Sequence, residues 1–166
     1  SGLMLFAKHG YAHARMDKQL QQKSIKKHYY ALVEGDTKLE QQGEIIAPIA
    51  RDVDSIITRR VHKSGKYAHT SYRLVGDYGR VKLVDINLHT GRTHQIRVHM
   101  AHIRHAVVND PLYGWKKDHF PIKGQALHSH TLELCHPITG EAMHFEAPVP
   151  EDMINCLNLA RKESML

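Results

Sequence analysis

Apolar positions in this chain fall into short runs separated by Gly-, Pro- or polar-rich turns, and the spacing predicts more strands than helices. Lys27–Glu34, Gly43–Ala47, Ala68–Val75, Arg80–Leu88, Ala126–Leu134 and Ala142–Glu146 read as strands. Leu3–Ala7 is a short apolar run expected as a further, buried strand. Gly35-Asp36 closes the first of the longer strands, Thr37–Gln42 is polar and turn-like, and Pro48 ends the Gly43–Ala47 strand. Gly76-Asp77-Tyr78-Gly79 predicts a hairpin turn. Beyond it Val84, Ile86 and Leu88 share a face with Lys82. That face is expected to meet the core, and Val81, Leu83, Asp85 and Asn87 take the other. Arg51–Gly65 has no clear period and reads as an excursion from the sheet, in the form of a small hairpin.

Three segments read as helices. Tyr11–Gln22 offers Ala14, Met16 and Leu20 to a core, with His13, Asp17, Lys18 and Gln21 toward solvent. A second helix starts at His94 with Thr93 as its cap, and Ile96, Met100 and Ile103 form an i, i+4, i+7 stripe. Glu151–Lys162, entered through Pro150, places Met153, Ile154, Leu157 and Leu159 at mostly apolar positions. The expected fold class is α+β, a mainly antiparallel mixed sheet with flanking helices, in one domain spanning residues 1–166. Repeats and low-complexity segments are absent from the sequence.

Charge adds a partner to this picture. Lys and Arg total 23 against 17 Asp and Glu, a net charge of +6, and the pI is about 9.3. Such a balance suits a polyanion. The denser basic patches are Lys23–Lys27, Arg59–Lys66 and Arg92–Arg104. Cys135 and Cys156 form neither a disulfide framework nor a zinc motif, so a reducing, cytoplasmic location is expected. No apolar run approaches the roughly 18 residues of a membrane helix, and no membrane partner is expected. Among the 15 histidines, His94, His99, His102 and His105 lie close together. They form no H-E-x-x-H and have no carboxylate among them, so no metal site is expected there. A metal-dependent hydrolase built on this segment is the remoter rival reading. A serine hydrolase lacks its G-x-S-x-G elbow.

The run His89-Thr90-Gly91-Arg92-Thr93-His94-Gln95-Ile96-Arg97-Val98-His99-Met100 holds the richest chemistry. Arg97 sits on a packed helix, where a fixed guanidinium can grip a carboxylate or a phosphate with two parallel hydrogen bonds. A surface basic helix is the plainer alternative.

The segment G-R-T-H-Q-I-R-V-H resembles a signature of the RluA-type RNA pseudouridine synthases. The resemblance extends over essentially the whole chain, in order. Lys27-His28-Tyr29-Tyr30-Ala31-Leu32-Val33-Glu34-Gly35 is similar to that family's K-x-Y-x-A-L-V-x-G, and Asp110-Pro111-Leu112-Tyr113-Gly114 to its D-P-x-Y-G. Leu127-His128-Ser129 is similar to its L-H-A. His136-Pro137-Ile138-Thr139-Gly140 and Phe145-Glu146-Ala147-Pro148-Val149-Pro150 come next, in register. Ser1-Gly2-Leu3-Met4-Leu5-Phe6-Ala7-Lys8 resembles the stretch directly after the family's H-R-L-D-x-x-T-S-G motif, which carries the catalytic aspartate. By this register that aspartate lies before Ser1, outside the 166 residues.

The resemblance implies an enzyme that isomerises uridine to pseudouridine in structured RNA, ribosomal rather than transfer RNA, without metal or other cofactor. It implies that Arg97 orients the nucleophilic aspartate, that Tyr29 stacks on the flipped base and assists proton transfer, and that Leu127 walls the pocket. Arg92 and His94 are better suited to substrate contacts than to chemistry. Tyr30, on the opposite side of its strand, is excluded from the site. Asp17 reads as a solvated helix residue and Asp110 as a turn or capping residue, and neither is expected to replace the aspartate. Where the family shows G-H-P-x-x-G-D, this chain has Arg104-His105-Ala106-Val107-Val108-Asn109-Asp110, which predicts a somewhat different loop. Asn109 can take the positive φ that Gly would supply. Residues 1–166 alone are expected to be inactive, to bind RNA weakly, and to self-associate through an exposed sheet edge. A non-catalytic RNA-binding protein using the same basic surface is the alternative.

Overall fold

The computed structural model describes residues 1–35, 37–115 and 120–165. In chain order the elements are α1 (Gly10–Gln21), β1 (Lys26–Glu34), β2 (Gln42–Ile46), β3 (Ile49–Arg51), β4 (Arg59–Val61), β5 (His69–Tyr78), β6 (Val81–Leu88), α2 (Gln95–His102), β7 (Ala106–Val107), β8 (Leu127–Cys135), β9 (Ala142–Glu146) and α3 (Glu151–Glu163). Asp36, expected with Gly35 to close β1, lies outside the described residues.

The main sheet runs β2-β5-β6-β1-β8-β9, with β7 also paired to β1, and its pairs are antiparallel. β1 is its central strand because Ala31, Leu32 and Val33 are wholly buried, which a strand achieves only when both faces are covered. One edge of β1 is shared: Lys26–Ala31 pair with β8, and Val33–Glu34 pair with β7. β3 and β4 pair apart from the main sheet, so the aperiodic Arg51–Gly65 segment does contain a hairpin arm.

Register decides which side chains share a face. Tyr29 lies opposite Ile86 on one side and Ser129 on the other, and Ile86 lies opposite Tyr72. Partners in register point the same way. Thr70, two residues from Tyr72, bonds to Gln95 and His99 of α2. Helix α2 therefore covers the face that carries Tyr29, Ala31, Val84 and Ile86. As expected, Val84 and Ile86 are fully buried. Met153, Cys156 and Ala160 of α3 join the same core, while Met16 of α1 packs with Leu132 and Leu134 in a smaller cluster.

Several expectations are corrected. Leu3–Ala7 is not a strand: only Gly2 bridges to Ser129, and Met4 and Phe6 are largely exposed. In α1 the buried positions are Ala12 and Met16, not Ala14 and Leu20. In α3 the buried stripe is Met153, Cys156 and Ala160, whereas Ile154 and Leu159 are exposed. The β5–β6 turn is tighter than expected: Gly76, Asp77 and Tyr78 still pair, and Gly79 turns the chain at φ 75°.

Candidate functional site

Helix α2 begins without the expected cap. Thr93 is not its cap; His94 is, and it makes no side-chain cap bond. The Gln95 side chain organises the turn instead. Its Oε1 accepts from the Thr90 hydroxyl (2.8 Å) and the Arg92 amide (2.9 Å), while its Nε2 donates to the His69 carbonyl (3.0 Å) and to Thr70 Oγ1 (2.9 Å). Gln95 can do both jobs because an amide side chain both accepts and donates. The bonding continues inward. The Thr70 hydroxyl meets His99 Nδ1 (2.9 Å), and His99 Nε2 meets the Ala47 carbonyl (2.9 Å). A carbonyl only accepts, so His99 carries its proton on Nε2. Burial holds the His99 imidazole below its ordinary value against the pull of the Ala47 carbonyl.

Residues Gln95–Met100 are all buried, so the surface-helix alternative for this segment is not what the chain adopts. Arg97, the third residue of α2, donates from Nε to Asp110 Oδ2 and from Nη2 to Asp110 Oδ1, both at 2.6 Å. The Asp110 side chain is fully buried. Its Oδ1 also accepts the Leu112 and Tyr113 amides, at 2.9 and 3.1 Å. Burial pushes the Asp110 carboxyl up, but the Arg97 and amide hydrogen bonds outweigh it and hold it below its ordinary value. The hydrogen bonds to Asp110 in turn raise Arg97 against the cost of its own burial. Of the turn or capping role expected for Asp110, the turn role is present. Its grip on Arg97 was not expected, although a signal existed: Asp110 is the only acidic residue from Ile86 to Trp115, and a buried guanidinium needs one.

Tyr113 completes this pocket. Its ring lies 5.1 Å from the Arg97 guanidinium carbon. Its hydroxyl accepts the Arg59 amide (2.8 Å) and lies 2.9 Å from His94 Nδ1. Burial first, and then the neighbouring Arg97 and Arg59 charges, push His94 down. His94 takes a left-handed backbone at φ 57°, a conformation non-glycine residues adopt at a cost and one that clusters at functional sites. Arg104 (φ 64°) and Asn109 (φ 54°) are also left-handed. They occupy the two positions where the family pattern has glycine, so the backbone there keeps conformations open to glycine despite the changed residues.

Tyr29 and Leu127 are half-buried and stand on the α2 side of the sheet, Leu127 opposite Ala31. Burial raises the Tyr29 phenol, partly offset by a hydrogen bond with Ser129, so it is a neutral donor. Tyr30 turns away and stacks on His130, with ring centroids 4.4 Å apart. Residues 1–3 are fastened beside Tyr29: the Ser1 backbone nitrogen donates to the Leu127 carbonyl (3.0 Å), and the Leu3 amide donates to the Ser129 carbonyl (2.9 Å). Gly2 has no room for a side chain, since an added Cβ would lie 2.3 Å from the Ser129 carbonyl oxygen. Asp17 is exposed and accepts from Gln21 Nε2, a solvated helix residue as expected.

Arg92 is exposed and its Nε donates to the Tyr67 carbonyl (2.9 Å). It shares a cleft of about 470 Å³ with Arg51, Arg59 and Lys66, between hairpin β3–β4 and the Gly91 loop. No carboxylate lines that cleft among the described residues. Two of the sequence's basic patches thus converge, whereas Arg97, counted in the same patch as Arg92, is withdrawn into its pair with Asp110. Among the described residues, no helix is long and apolar enough to cross a membrane.

The chain is similar to known proteins in sequence and in fold. The family model described as RNA pseudouridylate synthase matches residues 1–102. A Bacillus subtilis (strain 168) protein named uncharacterized RNA pseudouridine synthase YhcT is 42% identical over 157 residues, 93% of this chain and 51% of its own. Ribosomal large subunit pseudouridine synthase D of Escherichia coli (strain K12) is 37% identical over 177 residues, 98% of this chain and 53% of its own. The solved structure of human RNA pseudouridylate synthase domain containing 1 superposes with a TM-score of 0.71 at 26% identity, covering 86% of this chain and 62% of that one. This chain spans about half the length of the curated relatives it matches.

Proposed function

The chain belongs to the RNA pseudouridylate synthase family, and on that premise we propose that it forms the base- and phosphate-binding part of a site that isomerises uridine in structured RNA. The relatives named for the ribosomal large subunit make ribosomal RNA the first substrate to test. The reaction breaks the N-glycosidic bond, turns the uracil over and rejoins it to the ribose through carbon. It needs a carboxylate at the ribose or base, a cation that orients it, and a pocket for a base drawn out of its stack.

The observation that carries this reading is Arg97. It is buried, held at 2.6 Å by Asp110, and set on the sheet face that carries Tyr29 and Leu127. Asp110 takes one edge of the guanidinium, Nε and Nη2. The remaining N–H groups, on Nη1 and the second position of Nη2, are the ones left to face a reacting carboxylate. Asp110 therefore acts as the support of Arg97 rather than as a nucleophile, because its own oxygens are filled by Arg97, Leu112 and Tyr113. Tyr29 supplies a neutral phenol for stacking and proton transfer, and Leu127 an apolar wall. Arg51, Arg59, Lys66 and Arg92 form the phosphate-binding cleft, and His94 is tied to Arg59 through the Tyr113 hydroxyl. Two free thiols, Cys135 exposed and Cys156 buried, support a reducing cytoplasmic setting. Self-association falls to β2 and β9, the outermost strands of the main sheet.

H-R-L-D-x-x-T-S-G does not occur within residues 1–166. A polypeptide of these residues alone should leave uridine unchanged. One that continues upstream through such a motif should convert it, because Ser1 and Leu3 are held against Leu127 and Ser129, where residues joined to Ser1 would enter beside Tyr29. Pseudouridine in ribosomal RNA, measured after incubation with both polypeptides, tests this. Turnover by residues 1–166 alone would overturn the assignment of the carboxylate. RNA binding without turnover by the longer polypeptide would favour the non-catalytic alternative.

A further inference from the structure

We propose that Glu44, His69 and His89 form a binding site for a divalent transition-metal cation of the zinc class. They come from β2, from the start of β5 and from the residue after β6, and they offer ligand atoms that all lie within 4.8 Å of one another. Glu44 lies opposite Ser71, and Ser71 opposite Asn87. His69 and His89 stand two residues along from Ser71 and Asn87, so all three project from the face opposite α2. The site is thus separate from the Arg97 pocket.

His69 Nε2 is buried and has no hydrogen-bond partner. Glu44 Oε2 lies 3.6 Å from it, beyond hydrogen-bond reach. A buried nitrogen left in this way is costly unless something else satisfies it. The His89 ring stacks on His69 with centroids 4.1 Å apart and a tilt of 21°, and Ser71 Oγ, 3.0 Å from His89 Nε2, holds its orientation. Two imidazoles and one carboxylate are a zinc-type donor set, whereas calcium and magnesium prefer all-oxygen cages. Zinc bonds of roughly 2.0–2.2 Å require the three ligand atoms to draw together. The exposed Glu44 side chain can make most of that movement.

The placement says what such an ion would do. The His89 amide donates to the His69 carbonyl (3.1 Å), and the His69 amide donates to Thr90 Oγ1 (2.9 Å). Gln95 Nε2 reaches the same His69 carbonyl (3.0 Å). A cation bound to both imidazoles would pin β5 to the loop that leads through Gly91 and Arg92 into α2. It is a structural clamp on the phosphate-binding loop, with no part in the chemistry of Arg97.

The test is a calorimetric titration of Zn²⁺ into the metal-stripped protein at neutral pH, with Co²⁺ absorption as a second reading. One saturable equivalent is expected, accompanied by a rise in melting temperature. Loss of outer partners of a metal costs about 10- to 100-fold in affinity, so loss of a ligand in Glu44→Gln or His89→Asn should cost at least about tenfold. Glu44 is exposed, so Glu44→Gln keeps the fold and carries the test even where His89→Asn does not. His13→Asn, an exposed histidine on α1, should change nothing. Absence of a saturable equivalent, or binding unaltered by Glu44→Gln and reduced by His13→Asn, would overturn the proposal.

Discussion

Tyr113 links the two halves of the site: its ring covers Arg97 at 5.1 Å from the guanidinium carbon, and its hydroxyl holds the Arg59 amide at 2.8 Å. Arg59 belongs to β4, whose hairpin borders the basic cleft. A single side chain thus joins the element proposed to meet phosphate to the cation proposed for chemistry. Tyr113→Phe keeps the ring but strips a partner from the Arg59 amide and from His94 Nδ1. It should cost about 1–3 kcal/mol of stability, the usual penalty for orphaned partners. Tyr113→Ala should cost more, since the wall over Arg97 goes too. Urea melts of both variants provide the comparison, and equal losses would show that only the hydroxyl matters.

Asp110→Asn should destabilise the protein by about 3–5 kcal/mol, because it leaves a buried guanidinium without its countercharge. The sign with pH comes from the depressed Asp110 carboxyl. Its contribution is fully present above the ordinary carboxylate value of 3.8 and is lost as pH falls through the lower folded value. The gap in stability between wild type and Asp110→Asn should therefore be constant near neutrality and close only in strong acid. Denaturant melts at pH 7 and across the acid range check it.

His99 sets a second pH window. Its folded value lies below 6.5, so the unfolded chain takes up a proton near 6.5 while the folded one does not. Stability should fall as pH drops from 6.5 toward the folded value. His99→Gln should remove that part of the slope, at a cost of about 1–3 kcal/mol from the broken Thr70–His99–Ala47 chain. Urea midpoints at pH 7.5 and 5.5 measure both effects. An unchanged slope in His99→Gln would place the titration elsewhere.

Arg97→Lys, in a polypeptide that includes the carboxylate motif, should cost far more turnover than removal of a phosphate-binding side chain would. Lysine is a point charge and cannot hold Asp110 and a second carboxylate in a planar fork. Tyr29→Phe should keep binding and lose rate if the phenol moves a proton, while Tyr29→Ala should lose both. Single-turnover kinetics with saturating RNA separates the two. Near-native rates in Arg97→Lys would end the orienting role.

RNA affinity should fall steeply with salt. Replacing any of Arg51, Lys66 or Arg92 by Gln should reduce the log–log salt slope by about 0.7–0.9 for each phosphate that is no longer neutralised. Titrations of a structured RNA at several salt concentrations give the slope. A slope unaltered by all three replacements would place the RNA elsewhere on the surface.

The six longest strands, the three helices and the family were legible along the chain, because turn residues, apolar spacing and ordered motifs are local properties; the short β3 and β7 were not. Arg97, Tyr29 and Leu127 stand out in those motifs, and register places Tyr29 and Leu127 on the face that α2 covers. The errors share one cause. Leu3–Ala7 is apolar but finds no strand partner beyond Gly2; Leu20 continues the Ala12–Met16 spacing yet stays exposed, and Ile154 lies one position off the buried Met153–Cys156–Ala160 stripe. Apolarity shows what can be buried, and packing decides what is.

By itself the sequence determined the fold class, the family and the residue types available for chemistry, since these depend on local pattern and order. Only the tertiary structure decided who partners whom. It set Asp110 against Arg97 across 13 steps of chain, Tyr113 against Arg59 across 54, and Glu44 beside His69 and His89. The reason is physical: a buried charge or polar nitrogen must be satisfied by whichever group the register and the helix approach bring within about 3 Å. That neighbour is chosen in space, where sequence separation carries no information.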